Sequence, residues 1–337
     1  MGTGTSARAT PVAPKSVTMA AMTRQQFLRT LSAGAIGFSA RHVQAQPAAI
    51  QTFTYKTAGC EIHADVHGAV EGAKKPALFW LHGGALIMGS RKGIPRPFRD
   101  GLIEKGFVIV SVDYRLAPET KLPAILEDVR DAWKWMRGQA GRFGIDVGRI
   151  ATGGASAGGY LTQMTGFCLD PRPRALVSYF GYGDIIGPWY SEPDEFYRRQ
   201  PLVSKEDALA AVGTAPVSEP PQGNQRGNFY LYCRQNGLWP EQASGHNPHT
   251  EEKWFEPYCP IRNVTAKYPP TILIHGTADT DVPYAQSKDM DAKLGKAGVV
   301  HEFLTVEGAE HGLAGAKPEE VSRVAERAVE FVKAHTA

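Results

Sequence analysis

Cysteine is scarce in this chain, which has four among 337 residues: Cys60, Cys168, Cys233 and Cys259. So few cysteines exclude a disulfide-based scaffold, and no pair has the spacing of a zinc site. Cys233 and Cys259 lie in one irregular segment, where a disulfide and two buried free thiols are both open alternatives. Stability must therefore come from a hydrophobic core, for which 42% hydrophobic residues suffice.

The chain also lacks a long apolar run, an excess of one charge and an internal repeat. No apolar stretch reaches about 18 residues, which argues against stable membrane insertion through a spanning helix. The net charge is only +3, from 37 Lys and Arg mixed with 34 Asp and Glu, so no basic stripe indicates nucleic-acid binding. The length fits one large α/β domain with an insertion, or two small domains.

The first 45 residues differ from the rest. Residues 1–15 are rich in Gly, Thr, Ala and Pro without periodicity, which predicts a disordered leader. A basic segment over 23–29, a small and apolar run over 31–40 and small residues up to Ala45 form the pattern of a signal peptide. The basic segment is similar to a twin-arginine signal, with Gln25 in place of the second arginine. We expect a periplasmic or secreted protein; a disordered amphipathic tail is the alternative.

From residue 50 onward, apolar runs alternate with helical patterns. Alternation over 52–66 predicts an antiparallel strand pair at a sheet edge, and helical spacing predicts helices over 123–138 and 319–334. Strands alternating with helices indicate an α/β fold with a mostly parallel, doubly wound sheet, whose carboxyl ends meet at one edge. The continuous apolar runs that predict its buried strands are 77–81, 107–112, 175–180, 271–276 and 301–306.

The segment 153–159, GGASAGG, contains the pattern G-x-S-x-G with Ser156 at its centre. An apolar entry precedes it and a helix-forming run follows, which is the strand–turn–helix context of a nucleophile elbow. Gly154 and Gly158 flank the turn, where a Cβ would collide with the neighbouring backbone. Alone, the motif is weak evidence, because a glycine-rich turn can hold a serine by chance.

Two later segments complete a reactive constellation. A serine hydroxyl needs a neighbouring base, and that base needs an orienting acid. Ser156 is followed by HGTADTDVP over 275–283 and by GAEHG over 308–312, which supply Asp279 and His311 in the order serine, acid, histidine. Each follows a predicted core strand, and in such sheets the ligand crevice lies outside the carboxyl ends. We therefore expect the three side chains to converge.

These segments resemble those of α/β-hydrolase-fold serine esterases, most of all the hormone-sensitive-lipase-like and feruloyl-esterase-like branches. HGG over 82–84 and DYRLAP over 113–118 are similar to the same group. The resemblance covers about 75–335 and predicts one hydrolase domain over 50–337. Within it, a segment at about 186–268 rich in Pro, Gly, Asn and aromatic residues is interpreted as a cap insertion. Most of its rings should form the cap's own small core, with the remainder lining a pocket.

The resemblance implies a role for each matched residue. Ser156 is the nucleophile, His311 the general base and later the acid, and Asp279 the acid that orients His311. Asp281 is the rival acid, two residues on; Asp279 is preferred because the family's acid is the first Asp of H-G-x-x-D-x-x-V-P. No cofactor and no metal is implied. His246 and His249 lie in a loop without ligand spacing.

An oxyanion hole is implied as well. The N–H of Ala157, next after the nucleophile, is one donor, and the loop with Gly83, Gly84 and Ala85 supplies the others. Related esterases usually carry glycine where this chain has Ala85. An alanine keeps its N–H, so we expect donation to survive with a negative φ at Ala85. His82 should brace this loop.

The resulting hypothesis is a serine carboxylic-ester hydrolase with an acyl-enzyme intermediate and no cofactor. The resemblance implies short-chain acyl, feruloyl or acetyl esters, either small molecules or esters on polysaccharide. Two alternatives stay open: a serine peptidase of the prolyl-oligopeptidase type, which shares the Asp279 segment, and a non-catalytic binding protein on a hydrolase fold. An intact set of Ser156, Asp279 and His311 argues against the second.

Overall fold

The computed structural model describes residues 1–2, 50–221 and 226–337. Every helix and strand described below lies within residues 50–337. The predicted leader and signal peptide lie outside the described residues. Within the described ranges, no helix has the length and apolar character needed to cross a bilayer.

A single eight-stranded sheet forms the centre of the described part. Its strands are β1 (Gln51–Thr57), β2 (Glu61–His67), β3 (Lys75–Leu81), β4 (Val108–Val112), β5 (Ile145–Ala155), β6 (Leu176–Tyr179), β7 (Thr271–Gly276) and β8 (His301–Val306). The spatial order is β1-β2-β4-β3-β5-β6-β7-β8. β2 is antiparallel to both neighbours and all other pairs are parallel. The predicted edge pair and the mostly parallel sheet are therefore confirmed.

Helices cover both faces of this sheet. They are α1 (Arg96–Glu104), α2 (Leu122–Gly138), α3 (Ala140–Phe143), α4 (Ala157–Cys168), α5 (Pro188–Ser191), α6 (Glu195–Arg198), α7 (Lys205–Leu209), α8 (Arg226–Asn236), α9 (Trp239–Ser244), α10 (Glu252–Phe255), α11 (Ala285–Lys296) and α12 (Pro318–His335). Short 3₁₀ turns occur at Glu256–Tyr258, Pro260–Arg262 and His311–Leu313. The segment between β6 and β7 contains α5 to α10 and, in its described part, no strand.

The central strand β3 is buried on both faces, as its apolar run predicts. Leu78 and Trp80 pack with α1 and α12 on one face, and Phe79 and Leu81 pack with α2 and α4 on the other. The ring centroids of Phe79 and Trp133 lie 5.6 Å apart, at an edge-to-face angle. Full burial of one such side chain stabilises the fold by roughly 1.5–3 kcal/mol, so this strand anchors the loop that follows it.

The strand order reverses at β3, which has β4 on one side and β5 on the other. Leu81 pairs with Gly154 at the carboxyl end of this pair. The loop after β3 and the turn after β5 therefore start side by side. This is the crevice in which doubly wound sheets bind ligands, and it brings residues 82–85 next to Ser156.

Candidate active site

Ser156 occupies the sharp turn between β5 and α4. Its φ is 56° and its ψ is −121°, a conformation that L-residues rarely adopt. The Ser156 N–H donates to the carbonyl oxygen of Tyr179 on β6 at 2.9 Å, which fixes the turn against the sheet. The hydroxyl therefore stands at the amino end of α4, where the helix dipole favours negative charge.

The glycines beside Ser156 are required by close backbone contacts. A Cβ on Gly158 would lie 2.0 Å from the carbonyl oxygen of Leu81 and 2.6 Å from that of His82. A Cβ on Gly154 would lie 2.2 Å from the carbonyl oxygen of Gly158. The predicted reason for both glycines is thus confirmed, and Gly158 also lets the loop after β3 approach the elbow.

Gly158→Ala should therefore prevent correct packing of the elbow. The neighbouring atoms are backbone and cannot move aside cheaply, so we expect a loss of roughly 3 kcal/mol or more in the free energy of unfolding, or no soluble protein. Gly138→Ala is the matched control, because a Cβ there meets no atom within 4 Å. It should be neutral or stabilising by up to about 1 kcal/mol. Thermal denaturation checks both, and equal melting temperatures would contradict the packing argument.

The three residues from distant segments meet at one edge of the sheet. His311 Nε2 lies 3.1 Å from Ser156 Oγ, and His311 Nδ1 lies 2.7 Å from Asp279 Oδ2. The Asp279 side chain is fully buried, whereas the His311 side chain is 26% exposed. The imidazole thus bridges a buried acid and an accessible hydroxyl, the geometry needed for proton transfer from Ser156.

Four donors hold the carboxylate of Asp279. Oδ1 accepts the N–H groups of Asp281 at 2.9 Å and Val282 at 2.8 Å. Oδ2 contacts His311 and, at 3.1 Å, Nε2 of His275. Burial favours the neutral acid, but the hydrogen bonds from His275 and His311 outweigh it and hold the pKa of Asp279 well below its usual value. This carboxylate is therefore ionised and fixed in orientation.

His275 supports Asp279 from behind. Its Nε2 also lies 3.0 Å from the carbonyl oxygen of Val282, so both neighbours of that nitrogen are acceptors and Nε2 carries the proton. Its Nδ1 then accepts from the Ser287 hydroxyl at 2.7 Å. The imidazole is completely buried and has no access to substrate.

Asp281 contacts the other side of the His311 ring. Its Oδ2 lies 3.4 Å from Nε2, the nitrogen that faces Ser156, and not from Nδ1. An acid that orients the base must bind Nδ1, so the geometry favours Asp279 over Asp281 for that role. Burial tends to lower the pKa of His311, but the charge of Asp281 and the hydrogen bond to Asp279 raise it above its usual value.

The loop after β3 differs from the expectation in one respect. The predicted negative φ at Ala85 is wrong: φ is +55° there and +111° at Gly84. The loop makes a tight turn in which the Gly84 carbonyl accepts the N–H groups of Ile87 and Met88, each at 2.9 Å. Such a turn needs left-handed residues, which glycine adopts freely and alanine adopts at a cost of roughly 1–2 kcal/mol.

The N–H groups of Gly84, Ala85 and Ala157 donate to no other described residue. Gly83 lies directly against the elbow, because a Cβ there would come within 3.3 Å of Ser156 Cβ and 2.7 Å of the Ala155 carbonyl oxygen. Backbone donors without partners beside a nucleophile are suited to bind a developing oxyanion.

Three side chains brace this loop. His82 stacks on Tyr114 with ring centroids 4.1 Å apart, and its Nδ1 lies 2.7 Å from the Gly83 carbonyl oxygen. Burial lowers the pKa of His82 to about 4, so the ring is neutral. The Tyr114 hydroxyl donates to the His82 carbonyl at 2.8 Å, and the indole N–H of Trp239 donates to the Ala85 carbonyl at 2.8 Å. Trp239 comes from the segment between β6 and β7, and no sequence pattern signalled this contact.

The remaining candidates have structural contacts. Cys233 and Cys259 are buried free thiols, so the disulfide alternative is not observed, and burial raises the pKa of each to about 12. His246 stacks on Trp254 at 3.9 Å, and His249 contacts a backbone carbonyl. In the described part of the chain, no group of three His, Cys, Asp or Glu residues is placed to hold a metal ion.

Comparison with known proteins identifies relatives of this fold. A family model described as an alpha/beta hydrolase fold matches residues 78–315. The non-reducing polyketide synthase ausA of Aspergillus calidoustus is 28% identical over an alignment of 352 residues, covering 86% of this chain and 14% of that protein. Esterase LipC of Mycobacterium tuberculosis is 27% identical over 239 residues, covering 70% of this chain and 53% of LipC.

A solved structure of similar fold is the monoclinic form of an esterase from Pyrobaculum calidifontis. The TM-score is 0.62 at 24% sequence identity, covering 86% of this chain and 86% of that chain. By contrast, this chain spans about one seventh of the polyketide synthase ausA and about half of LipC.

Proposed function

This chain belongs to the α/β-hydrolase-fold family, as its sequence predicted, and from that premise we propose that it is a serine carboxylic-ester hydrolase. One observation carries the proposal: a hydrogen-bonded chain runs from Ser156 Oγ through His311 to Asp279, with distances of 3.1 and 2.7 Å. Two of the similar proteins, LipC and the Pyrobaculum calidifontis protein, are esterases, which supports the proposal.

The first half of the proposed reaction forms an acyl-enzyme. His311 Nε2 takes the proton of Ser156 Oγ as that oxygen attacks the ester carbonyl carbon, and Asp279 stabilises the imidazolium. The negative charge on the carbonyl oxygen is bound by the N–H of Ala157 and by the loop with Gly83, Gly84 and Ala85. Collapse of the tetrahedral intermediate breaks the bond to the alcohol oxygen, which leaves with the proton from His311.

The second half regenerates the enzyme. Water enters in place of the alcohol and loses a proton to His311 Nε2 while its oxygen attacks the acyl carbon. The carboxylic acid leaves, and Ser156 Oγ recovers its proton from His311. Each step uses only groups of this chain and water, so the mechanism requires no cofactor.

For the substrate we propose short-chain acyl, feruloyl or acetyl esters, as small molecules or on polysaccharide. Aromatic rings form an apolar wall behind the site, which supports an apolar or phenolic group; of these rings, Phe180, Tyr190 and Trp239 are buried and Trp189 is partly exposed. The ring of Phe180 meets His311 edge-on at 4.9 Å. A stack of three rings is formed by Trp189, Tyr190 and Trp239, with successive ring centroids 3.9 and 4.1 Å apart. Through Trp239 this stack contacts the loop after β3, which we call the oxyanion loop (residues 82–85).

A substrate panel tests this proposal. We expect p-nitrophenyl esters of graded acyl length, methyl ferulate or acetylated xylan to be hydrolysed in a manner that depends on Ser156. A higher kcat/KM for a proline-based amide than for every ester would support the peptidase alternative. Turnover equal to that of the Ser156→Ala variant on every substrate would support the non-catalytic alternative.

Trp239→Phe should reduce turnover without abolishing it. The variant keeps the stacked ring but leaves the Ala85 carbonyl without its indole donor, a loss worth about 1–2 kcal/mol, so we expect kcat to fall about tenfold with little change in KM. Trp189→Phe is the matched control. Trp189 belongs to the same stack, but its indole N–H donates to the Asp184 carbonyl at 3.2 Å and not to the oxyanion loop. Equal losses in kcat for the two variants would show that Trp239 does not support that loop.

We also propose that the protein is exported to the periplasm or beyond, as the pattern of the leader indicates. Mass analysis of the mature amino terminus tests this, with cleavage expected after Ala45. A protein that keeps its leader and stays in the cytoplasm would contradict the proposal.

A further inference from the structure

The carboxylate of Asp281 is held so that only one of its oxygens faces the reactive residues. Oδ1 accepts hydrogen bonds from the hydroxyls of Tyr197 at 2.7 Å and Tyr230 at 2.5 Å, and from Arg234 at 2.7 Å. Oδ2 lies 3.4 Å from Nε2 of His311. One oxygen is thus fully occupied by donors, and the other is directed at the nitrogen that exchanges a proton with Ser156.

These donors come from the segment between β6 and β7. Arg234 is 1% exposed and lies over the ring of Tyr197, with 4.5 Å between the guanidinium carbon and the ring centroid. Its second terminal nitrogen donates to Asp194 at 2.7 Å, and its first also binds the Asp281 carbonyl at 2.9 Å. The position of Asp281 is therefore set by α8 and by the residues around α6.

The effect of Asp281 depends on the protonation state of His311. In the neutral ring, Nε2 presents a lone pair to Ser156 and gains nothing from a nearby carboxylate. Once Nε2 takes the serine proton, the ring is a cation and its N–H lies beside Oδ2. An interaction that is made only after proton transfer lowers the barrier, because it stabilises the transition state more than the ground state.

We propose that Asp281, held by Arg234, Tyr197 and Tyr230, is a positioning residue that stabilises the imidazolium form of His311 during acyl transfer. The inference rests on the proposed ester hydrolase function. It makes the segment between β6 and β7 part of the proton-transfer apparatus, in addition to any role in binding substrate.

Other charged groups around His311 set the size of this effect. Asp279 contacts Nδ1 from the loop after β7, and Arg234 lies behind Asp281 and opposes it. Burial raises the pKa of Tyr197 and Tyr230 well above the usual value, so both stay neutral.

Asp281→Asn tests the proposal. The amide oxygen can keep the three donors of Oδ1, while the amide NH₂ replaces Oδ2 beside His311. The acid limb of the pH profile of kcat/KM should then move to lower pH by about one unit, because the negative charge beside the His311 ring is lost. In the plateau, kcat should fall about tenfold, with KM for a neutral ester within about twofold of the wild type.

Asp194→Asn is the matched control. It removes a carboxylate from the same Arg234 but has no contact with His311, and asparagine can still cap α6, where Asp194 accepts the N–H of Tyr197. Its acid limb should stay within about 0.3 units of the wild type. An equal shift in both variants, or an unmoved acid limb in Asp281→Asn, overturns the inference.

Tyr197→Phe provides a second variant if Asp281→Asn does not fold. Tyr230 and Arg234 still hold Oδ1 in place in this variant. Because one donor is lost, the negative charge of Asp281 is less dispersed, so the acid limb should move slightly upward, opposite in sign to Asp281→Asn. No upward shift overturns the inference. The Ser156→Ala variant distinguishes failure of the proposed function from failure of the proposed role of Asp281. If Ser156→Ala retains turnover, the proposed function fails. If Ser156→Ala is inactive but the acid limbs of the Asp281 and Tyr197 variants do not move, only the role of Asp281 is rejected.

Discussion

Ser156→Ala should lower kcat for p-nitrophenyl butyrate by roughly 10⁴- to 10⁶-fold, the loss typical when the nucleophile of a serine triad is removed. The substitution deletes the atom that attacks the carbonyl carbon and leaves the donors of Gly84, Ala85 and Ala157 in place. Among the described residues the hydroxyl hydrogen-bonds only with His311, at 3.1 Å, so the melting temperature should change by no more than a few degrees. Initial rates and thermal denaturation of the purified variant check both statements.

Ser218→Ala is the control for a general effect of losing a hydrogen-bonded serine hydroxyl. Its hydroxyl donates to the carbonyl of Glu61 at 2.7 Å, on a different strand from the elbow. We expect a loss of stability of about 1 kcal/mol and kcat within about twofold of the wild type. A Ser156→Ala variant as active as Ser218→Ala would contradict the proposed role of Ser156.

The second large effect is expected for Asp279→Asn, which should lower kcat by about 10⁴-fold. Oδ1 must still accept the N–H groups of Asp281 and Val282, so the new amide NH₂ takes the place of Oδ2 and faces His275 and His311. A donor there forces His311 to carry its proton on Nε2. In that tautomer the ring cannot accept the proton of Ser156.

Asp281→Asn serves as the comparison that separates the two candidate acids. Both variants exchange a carboxylate for an amide, and the two positions lie two residues apart on one loop. Because Asp281 contacts Nε2 rather than Nδ1, its loss should cost about tenfold, against about 10⁴-fold for Asp279. Equal losses in kcat would assign the orienting role to the pair, and a larger loss at Asp281 would reverse the assignment.

Much of the fold was predictable because apolar runs mark buried parallel strands. The run over 271–276 coincides with β7, and the helix predicted over 123–138 is observed over Leu122–Gly138. Helix α11 has only a weak apolar pattern in the sequence, since only Ser287, Met290 and Leu294 are buried along its length. Its position depends on packing against the sheet, which local periodicity does not reveal.

The candidate site was predictable where a residue type follows a core strand. Ser156, Asp279 and His311 each do, and topology then brings them together. The conformation of Ala85 was predicted wrongly, because a motif specifies residue types and the tight turn after β3 determines the torsion angle. The contacts of Arg234 and Trp239 had no signal, since they depend on how a segment without regular periodicity folds against the loops after β3 and β7.

Covalent labelling with a fluorophosphonate tests the central claim most directly. The reagent phosphonylates an activated serine with loss of fluoride, and peptide mass spectrometry then locates the adduct. We predict one adduct per chain, on Ser156, with no labelling of Ser156→Ala and much slower labelling of Asp279→Asn. An adduct on another residue, or an unlabelled wild-type protein that still hydrolyses esters, would contradict the account.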